Sequence, residues 1–153
     1  MDAIIHCESI KLNITPFGFY KYSYEYFDLA NNYNDTKFSP VPYHLYCISI
    51  ELVLKAFLLD KGEKIEILKN KYGHDLQKLI SKVVEKDSKI IKLNNSEKEL
   101  IRKVENYYSN KNTGFKYFEI KNVIKGMRGV PDLLELKNFS LKLLNKFKYL
   151  GSN

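Results

Sequence analysis

Residues 42–62, PYHLYCISIELVLKAFLLDKG, constrain the fold more than any other stretch, because apolar residues fall on nearly every side of them. On a 3.6-residue period Leu45, Ile48, Leu52, Ala56 and Leu59 line one face, while Ile50, Val53, Leu54, Phe57 and Leu58 line the others. This pattern predicts a central helix enclosed by its neighbours. A narrow polar stripe remains at His44, Glu51 and Lys55, with Glu51 and Lys55 at the spacing and in the order that favour an ion pair. Pro40 and Pro42 mark the start, and Gly62 fits a left-handed C-terminal cap. At about 1.5 Å per residue the rod is roughly 28 Å long, enough to cross a small domain. Other helices must wrap it.

Four further helices are expected. Thr15 before Pro16 is an N-cap for a helix to about Asn32, with Phe19, Tyr22, Tyr26, Leu29 and Tyr33 on one stripe and Tyr20, Tyr24 and Phe27 beside it. A helical turn is expected near residues 66–71. The helix from Asp75 to about Lys86 buries Leu76, Leu79, Ile80, Val83 and Val84. Ser96 with Glu99 reads as a capping box opening a helix whose stripe is Leu100, Ile101, Val104, Tyr107 and Tyr108. The last helix follows Asp132 to about Tyr149, presenting Leu133, Leu136, Leu143, Phe147 and Leu150, with Gly151 stopping it. Residues 1–15 show no clear period, and residues 110–129 read as mostly irregular with a short helix at 120–125. The expectation is one all-α domain over residues 1–153, an antiparallel bundle of about five helices.

The net charge is +7, split between −3 over residues 1–60 (four lysines, seven acids) and +10 over residues 61–153 (nineteen lysines, two arginines, eleven acids). A basic second part suits a polyanion, since lysines facing phosphates release counterions. Scarce arginine weakens that case, because arginine makes the better bidentate phosphate contact. No signal-peptide pattern and no uninterrupted apolar run of membrane-spanning length is present, which predicts a cytoplasmic protein without membrane contact. The cysteines, Cys7 and Cys47, fit no metal spacing. No cofactor motif or metal-ligand cluster is present, and neither a cofactor nor a metal is expected.

Residues 50–59, IELVLKAFLL, then Lys61-Gly62, then Lys71-Tyr72-Gly73-His74-Asp75-Leu76 and Leu79, resemble the pattern of HEPN domains: an E-L-x-L-K-A-x-L-L helix, a glycine, and G-H-D-L-x-x-L. The resemblance spans residues 20–144 in element order and is sharp over 50–80. It implies a small helical bundle, a homodimer, a place in toxin–antitoxin or phage-defence systems, a partner such as an antitoxin or nucleotidyltransferase, and in many members metal-independent RNA cleavage. HEPN ribonucleases carry an arginine followed after four to six residues by a histidine. Here Arg102 is followed at 107–109 by Tyr107-Tyr108-Ser109, Arg128 at 133–135 by Leu133-Leu134-Glu135, and all three histidines, His6, His44 and His74, lie upstream. Without the acid–base pair such cleavage requires, no catalytic residue is assigned, and His74 is the one weak candidate.

His74 follows Gly73 at the mouth of a helix that must fold back on the central one, so a polar cluster of Glu51, Lys55, His74 and Asp75 is expected to lock the two helices. Asp75 also suits an N-cap. Tyr107, Tyr108, Lys111, Lys116, Tyr117 and Arg128 are candidates for gripping RNA by stacking and phosphate contacts, against the alternative of an exposed basic loop beside buried tyrosines. The leading functional expectation is binding of nucleic acid or a protein partner without the usual catalysis. A metal-independent endoribonuclease using other residues and a structural dimerisation module are the alternatives.

Overall fold

In the computed structural model, residues 12–34, 37–109, 114–115 and 128–152 are described, and their regular structure is entirely helical. The helices are α1 (Pro16–Asn31), α2 (Pro40–Asp60), α3 (Ile65–Ile67), α4 (Leu76–Lys86), α5 (Asn95–Tyr108) and α6 (Leu133–Lys146), with a π-helical turn at Leu68–Tyr72 and a 3-10 turn at Lys148–Gly151. The helix count among the described residues is thus six, one more than the sequence suggests. The additional one is short α3, which runs into the π turn where a single helical turn was expected. Gly73 N–H closes that turn on Leu68 O at 3.1 Å, and Leu68 and Tyr72 are buried beneath it. The irregular segment expected within 110–129 lies outside the described residues except at 114–115 and 128–129.

The bundle closes around α2, which packs against α1, α4, α5 and α6. Ser39 accepts from Val41 N–H ahead of Pro40 at the first position. At the other end Gly62, at φ +81°, donates to Leu59 O and Glu63 N–H donates to Leu58 O, both at 2.9 Å. Those two bonds form the Schellman arrangement, which a β-carbon at Gly62 would strain. By length and composition alone α2 could cross a bilayer, but most of it is buried inside the protein.

The expected enclosure of α2 on nearly every side needs correcting. The polar stripe is inside, with Glu51 5% and Lys55 8% exposed, because α4 and α5 lie over it. The half-exposed side is apolar, made of Leu45, Ile48, Leu52 and Leu59 with exposed Val41. The face of α1 is also rotated from the aromatic stripes. Its buried residues are Gly18, Ser23, Phe27 and Ala30, while Leu29 and Tyr24 face outward. Small side chains explain this, since they let α1 approach α2 closely. Ser23 Oγ donates to Ser49 O at 2.6 Å, and Ser140 Oγ of α6 reaches Ser49 Oγ at 3.1 Å. Three buried serines therefore join α1, α2 and α6, each finding the partner that a buried hydroxyl requires.

The remaining helices follow their periodicity more closely. α4 buries Leu76, Leu79, Ile80 and Val83, and α5 buries Leu100, Ile101, Val104 and Tyr108. The capping box lies two residues earlier than expected. Asn94 Oδ1 accepts from Glu97 N–H at 2.8 Å, and Glu97 Oε2 accepts from Asn94 N–H at 2.9 Å. Glu99 instead pairs with Arg102. Asp132 caps α6 through Glu135 N–H at 2.9 Å. That helix stops at Lys146, after which the 3-10 turn carries Leu150 back into the core.

Candidate functional site

Where α2, α4 and α5 meet, Glu51 collects three donors. Lys55 Nζ lies 2.6 Å from its Oε1, the spacing of one helical turn having placed both side chains on the buried side of α2. His74 Nδ1 lies 2.9 Å from Oε2. The π turn and Gly73, at φ +54°, deliver that ring ahead of α4. Tyr108, in the last turn of α5, donates its hydroxyl to the same Oε2. The ring of Tyr108 also stands between the two described histidines, 5.6 Å from His44 and 6.1 Å edge-on from His74.

Burial pushes the Glu51 carboxyl up, but the hydrogen bond from His74, the charge and bond of Lys55 and the bond from Tyr108 outweigh it and hold the group below its ordinary range. Glu51 is therefore an anion at neutral pH, and an ionised carboxylate makes His74 Nδ1 the donor. Burial and the adjacent Glu51 charge push the Tyr108 hydroxyl far above its ordinary range, so it serves only as a neutral donor. Burial likewise raises the Cys47 thiol, which is fully enclosed in the core.

A second carboxylate braces the same corner. Glu105 of α5 accepts from Leu76 N–H at 2.6 Å and Gln77 N–H at 3.2 Å, satisfying the start of α4 from outside its own helix. Asp75 completes that cap by accepting from Lys78 N–H at 2.9 Å and pairing with Lys78 Nζ at 3.0 Å. Asp75 thus acts in capping rather than as a bonded member of the Glu51 cluster.

The structure brings Glu51, Lys55 and His74 together, but at unequal depth. The His74 side chain is 60% exposed, and the Glu51 and Lys55 side chains are buried. A carboxylate fixing one nitrogen of an exposed imidazole is a geometry that suits proton transfer. Strand cleavage also needs a second proton-transfer group, and here Lys55 and Tyr108 are committed to Glu51. The arrangement is a helix lock with one imidazole at its open edge.

Three of the expected RNA-gripping residues, Tyr107, Tyr108 and Arg128, are among the described residues. Tyr108 is buried with its hydroxyl engaged, which removes it as a stacking platform. Tyr107 stacks on Phe115 at 5.4 Å and donates its hydroxyl to Arg128 O, so one of its faces is taken. The Arg128 residue is exposed. Lys111, Lys116 and Tyr117 lie outside the described residues. Tyr108's role was missed in sequence because its partner is 57 residues away. The available signal was a tyrosine on the buried face of its helix, whose hydroxyl must find an acceptor. Among the described residues no group of His, Cys, Asp and Glu could hold a metal ion. The chain matches no protein-family model, no curated protein and no solved structure.

Proposed function

We propose that this chain is a HEPN-like helical domain that acts by binding a nucleic-acid backbone, without the usual HEPN catalysis. The observation that carries the reading is a groove of about 580 Å³ between residues 89–92 and α6, whose charged lining is lysine alone: Lys89, Lys92, Lys142 and Lys146. Lys142 is held by Glu97 Oε1 at 2.6 Å and by Lys92 O at 3.1 Å. Lys89, Lys92 and Lys146 pair with no acid among the described residues. Three such ammonium groups on a chain whose second part carries +10 attract phosphate oxygens and supply the counterion release that drives polyanion binding. The engagement of Lys55 and Tyr108 with Glu51 supports binding over cleavage.

Titration of labelled RNA against the protein at increasing salt, with chelator present, tests this reading. Affinity should fall steeply with salt while the RNA stays intact. Changing Lys89, Lys92 and Lys146 to glutamine together should flatten the dependence by about 0.7 in log–log slope per lysine for a single strand. A salt-independent affinity contradicts the proposal. Cleavage lost in His74→Ala would favour the ribonuclease alternative, for which the exposed, carboxylate-held imidazole is the supporting feature.

A protein partner is favoured by a different observation, the half-exposed apolar side of α2. Leu45, Ile48 and Leu52 lie there with exposed Val41, and apolar surface of this kind marks association sites. A second copy of the chain is the simplest occupant, with an antitoxin or nucleotidyltransferase as the alternative. Sedimentation should show a dimer that Ile48→Lys converts to monomer. A wild-type monomer at high protein concentration contradicts self-association.

A further inference from the structure

Four aromatic rings run in series beside the start of α2. Tyr107 of α5 stacks on Phe115 at 5.4 Å and 22°, Phe115 stacks on Tyr43 at 5.2 Å and 25°, and Tyr43 meets Phe38 at 5.7 Å and 42°. Tyr43 and Phe115 are buried, whereas Phe38 at the end of the series is 59% exposed. Burial of Tyr43 and Phe115 accounts for the inner rings but not for the outer one. An apolar ring left in water at the end of a packed stack is held in place without being covered.

Phe38 also forms a rib between two clefts. One, of about 500 Å³, has Lys37 and Lys137 in its lining. The other, of about 590 Å³, has Lys103. Asp132 lines both, but its Oδ1 is turned to Glu135 N–H as the α6 cap. Each side of the rib thus joins aromatic surface to at least one ammonium group. A planar ring with phosphates on either side fits that combination, because base–aromatic stacking tolerates any base and lysines meet the backbone.

We infer that the Phe38–Tyr43–Phe115–Tyr107 series is a stacking platform for an unpaired base, with Phe38 as the ring that receives it, so that the preferred ligand is single-stranded nucleic acid. This rests on the nucleic-acid reading above and narrows it, since a duplex keeps its bases stacked inside and offers no free face to Phe38.

Single-stranded and duplex RNA of equal length and label are titrated against wild type, Phe38→Ala and Phe38→Trp. The chain has no tryptophan, so Phe38→Trp places one reporter at the rib while retaining a stacking ring. Wild type should prefer the single strand. Phe38→Ala should weaken single-strand binding roughly tenfold, the scale of one lost base stack, with duplex binding unchanged. Fluorescence of Phe38→Trp should be quenched by the single strand and not by the duplex. If Phe38→Ala matches wild type on both ligands, or the tryptophan is not quenched, the platform is overturned while backbone binding at the lysine groove stands. If wild type binds neither RNA, both readings fall. If Phe38→Ala instead changes sedimentation and leaves RNA binding intact, the rib is a protein contact and the inference is wrong.

Discussion

Replacing Glu51 with alanine is expected to destabilise the protein by about 3–5 kcal/mol, the cost of removing one member of a buried ion pair and leaving the other charge uncompensated. Lys55 Nζ and the Tyr108 hydroxyl both lose their acceptor, and neither can turn to water without opening the contact of α2 with α5. His74→Ala removes one donor at the exposed edge and should cost only about 1 kcal/mol, the net value of a single hydrogen bond. Urea denaturation of the two variants checks the difference, and a Glu51→Ala loss below 1 kcal/mol would sink the lock. The pH dependence carries a second signature. The folded-state Glu51 carboxyl lies below its ordinary value of 4.5, so its contribution is complete above that value and disappears as pH falls through the lower folded value. Glu105 opposes this trend. Burial, aided by the Asp75 charge against the Ser109 bond and the Leu76 and Gln77 amides, holds its carboxyl above the ordinary value. Its contribution is therefore present at low pH and lost as pH rises. Glu51→Gln retains Glu105, so the stability gap between wild type and this variant isolates Glu51 and should narrow below about pH 4.5.

The helices themselves were legible because each announces itself locally. Gly62 marks the end of α2, Asp132 the start of α6, and the Leu76, Leu79, Ile80 and Val83 stripe the inner side of α4. What sequence periodicity misjudged was which side of a helix faces inward when hydropathy and packing disagree. Aromatics dominate the pattern of α1, yet Ser23 sets its contact, because a helix crossing selects for small size and a satisfied hydroxyl rather than apolarity. On α2, Glu51 and Lys55 read as a narrow polar stripe that a cluster with His74 would lock against the next helix. Their burial depends on Tyr108, and no local rule links residues so far apart in the chain. The capping box was displaced for a simpler reason: Asn94 with Glu97 and Ser96 with Glu99 offer overlapping signals.

The corner that holds His74 was partly legible. A glycine before a helix start predicted that the chain would fold back toward Glu51 and Lys55. Sequence could not predict the depth of the ring, which is set by the π turn at Leu68–Tyr72. The extra residue in that turn changes the direction in which Gly73 leaves it, and the imidazole reaches Glu51 from the solvent side. The Phe38 rib was illegible for a related reason. Its neighbours come from α2, α5 and residue 115, and only the folded bundle sets their rings in series.

Phe57→Ala should cost about 3–5 kcal/mol, the other large loss expected, because it empties the place where the last turns of α2 meet the end of α6. Phe57 and Phe147 are both fully buried, with ring centroids 5.0 Å apart and planes tilted by 38°. Phe147 closes α6 and leads into the turn that buries Leu150. The cavity therefore opens at a helix end whose position depends on the ring. Leu52→Ala, one turn and a half earlier on the same helix, tests the orientation of α2. Sequence periodicity alone places Leu52 in the core, whereas the half-exposed site leaves less apolar area to lose, for a cost of roughly 1 kcal/mol. Denaturation midpoints at unchanged slope measure both losses. Pairing Phe57→Ala with Phe147→Ala should recover about 0.5–1.5 kcal/mol of coupling beyond additivity, as expected for rings in contact. Equal losses at Phe57 and Leu52 would overturn the partial exposure of Leu52, and strict additivity of the ring pair would overturn the Phe57–Phe147 contact.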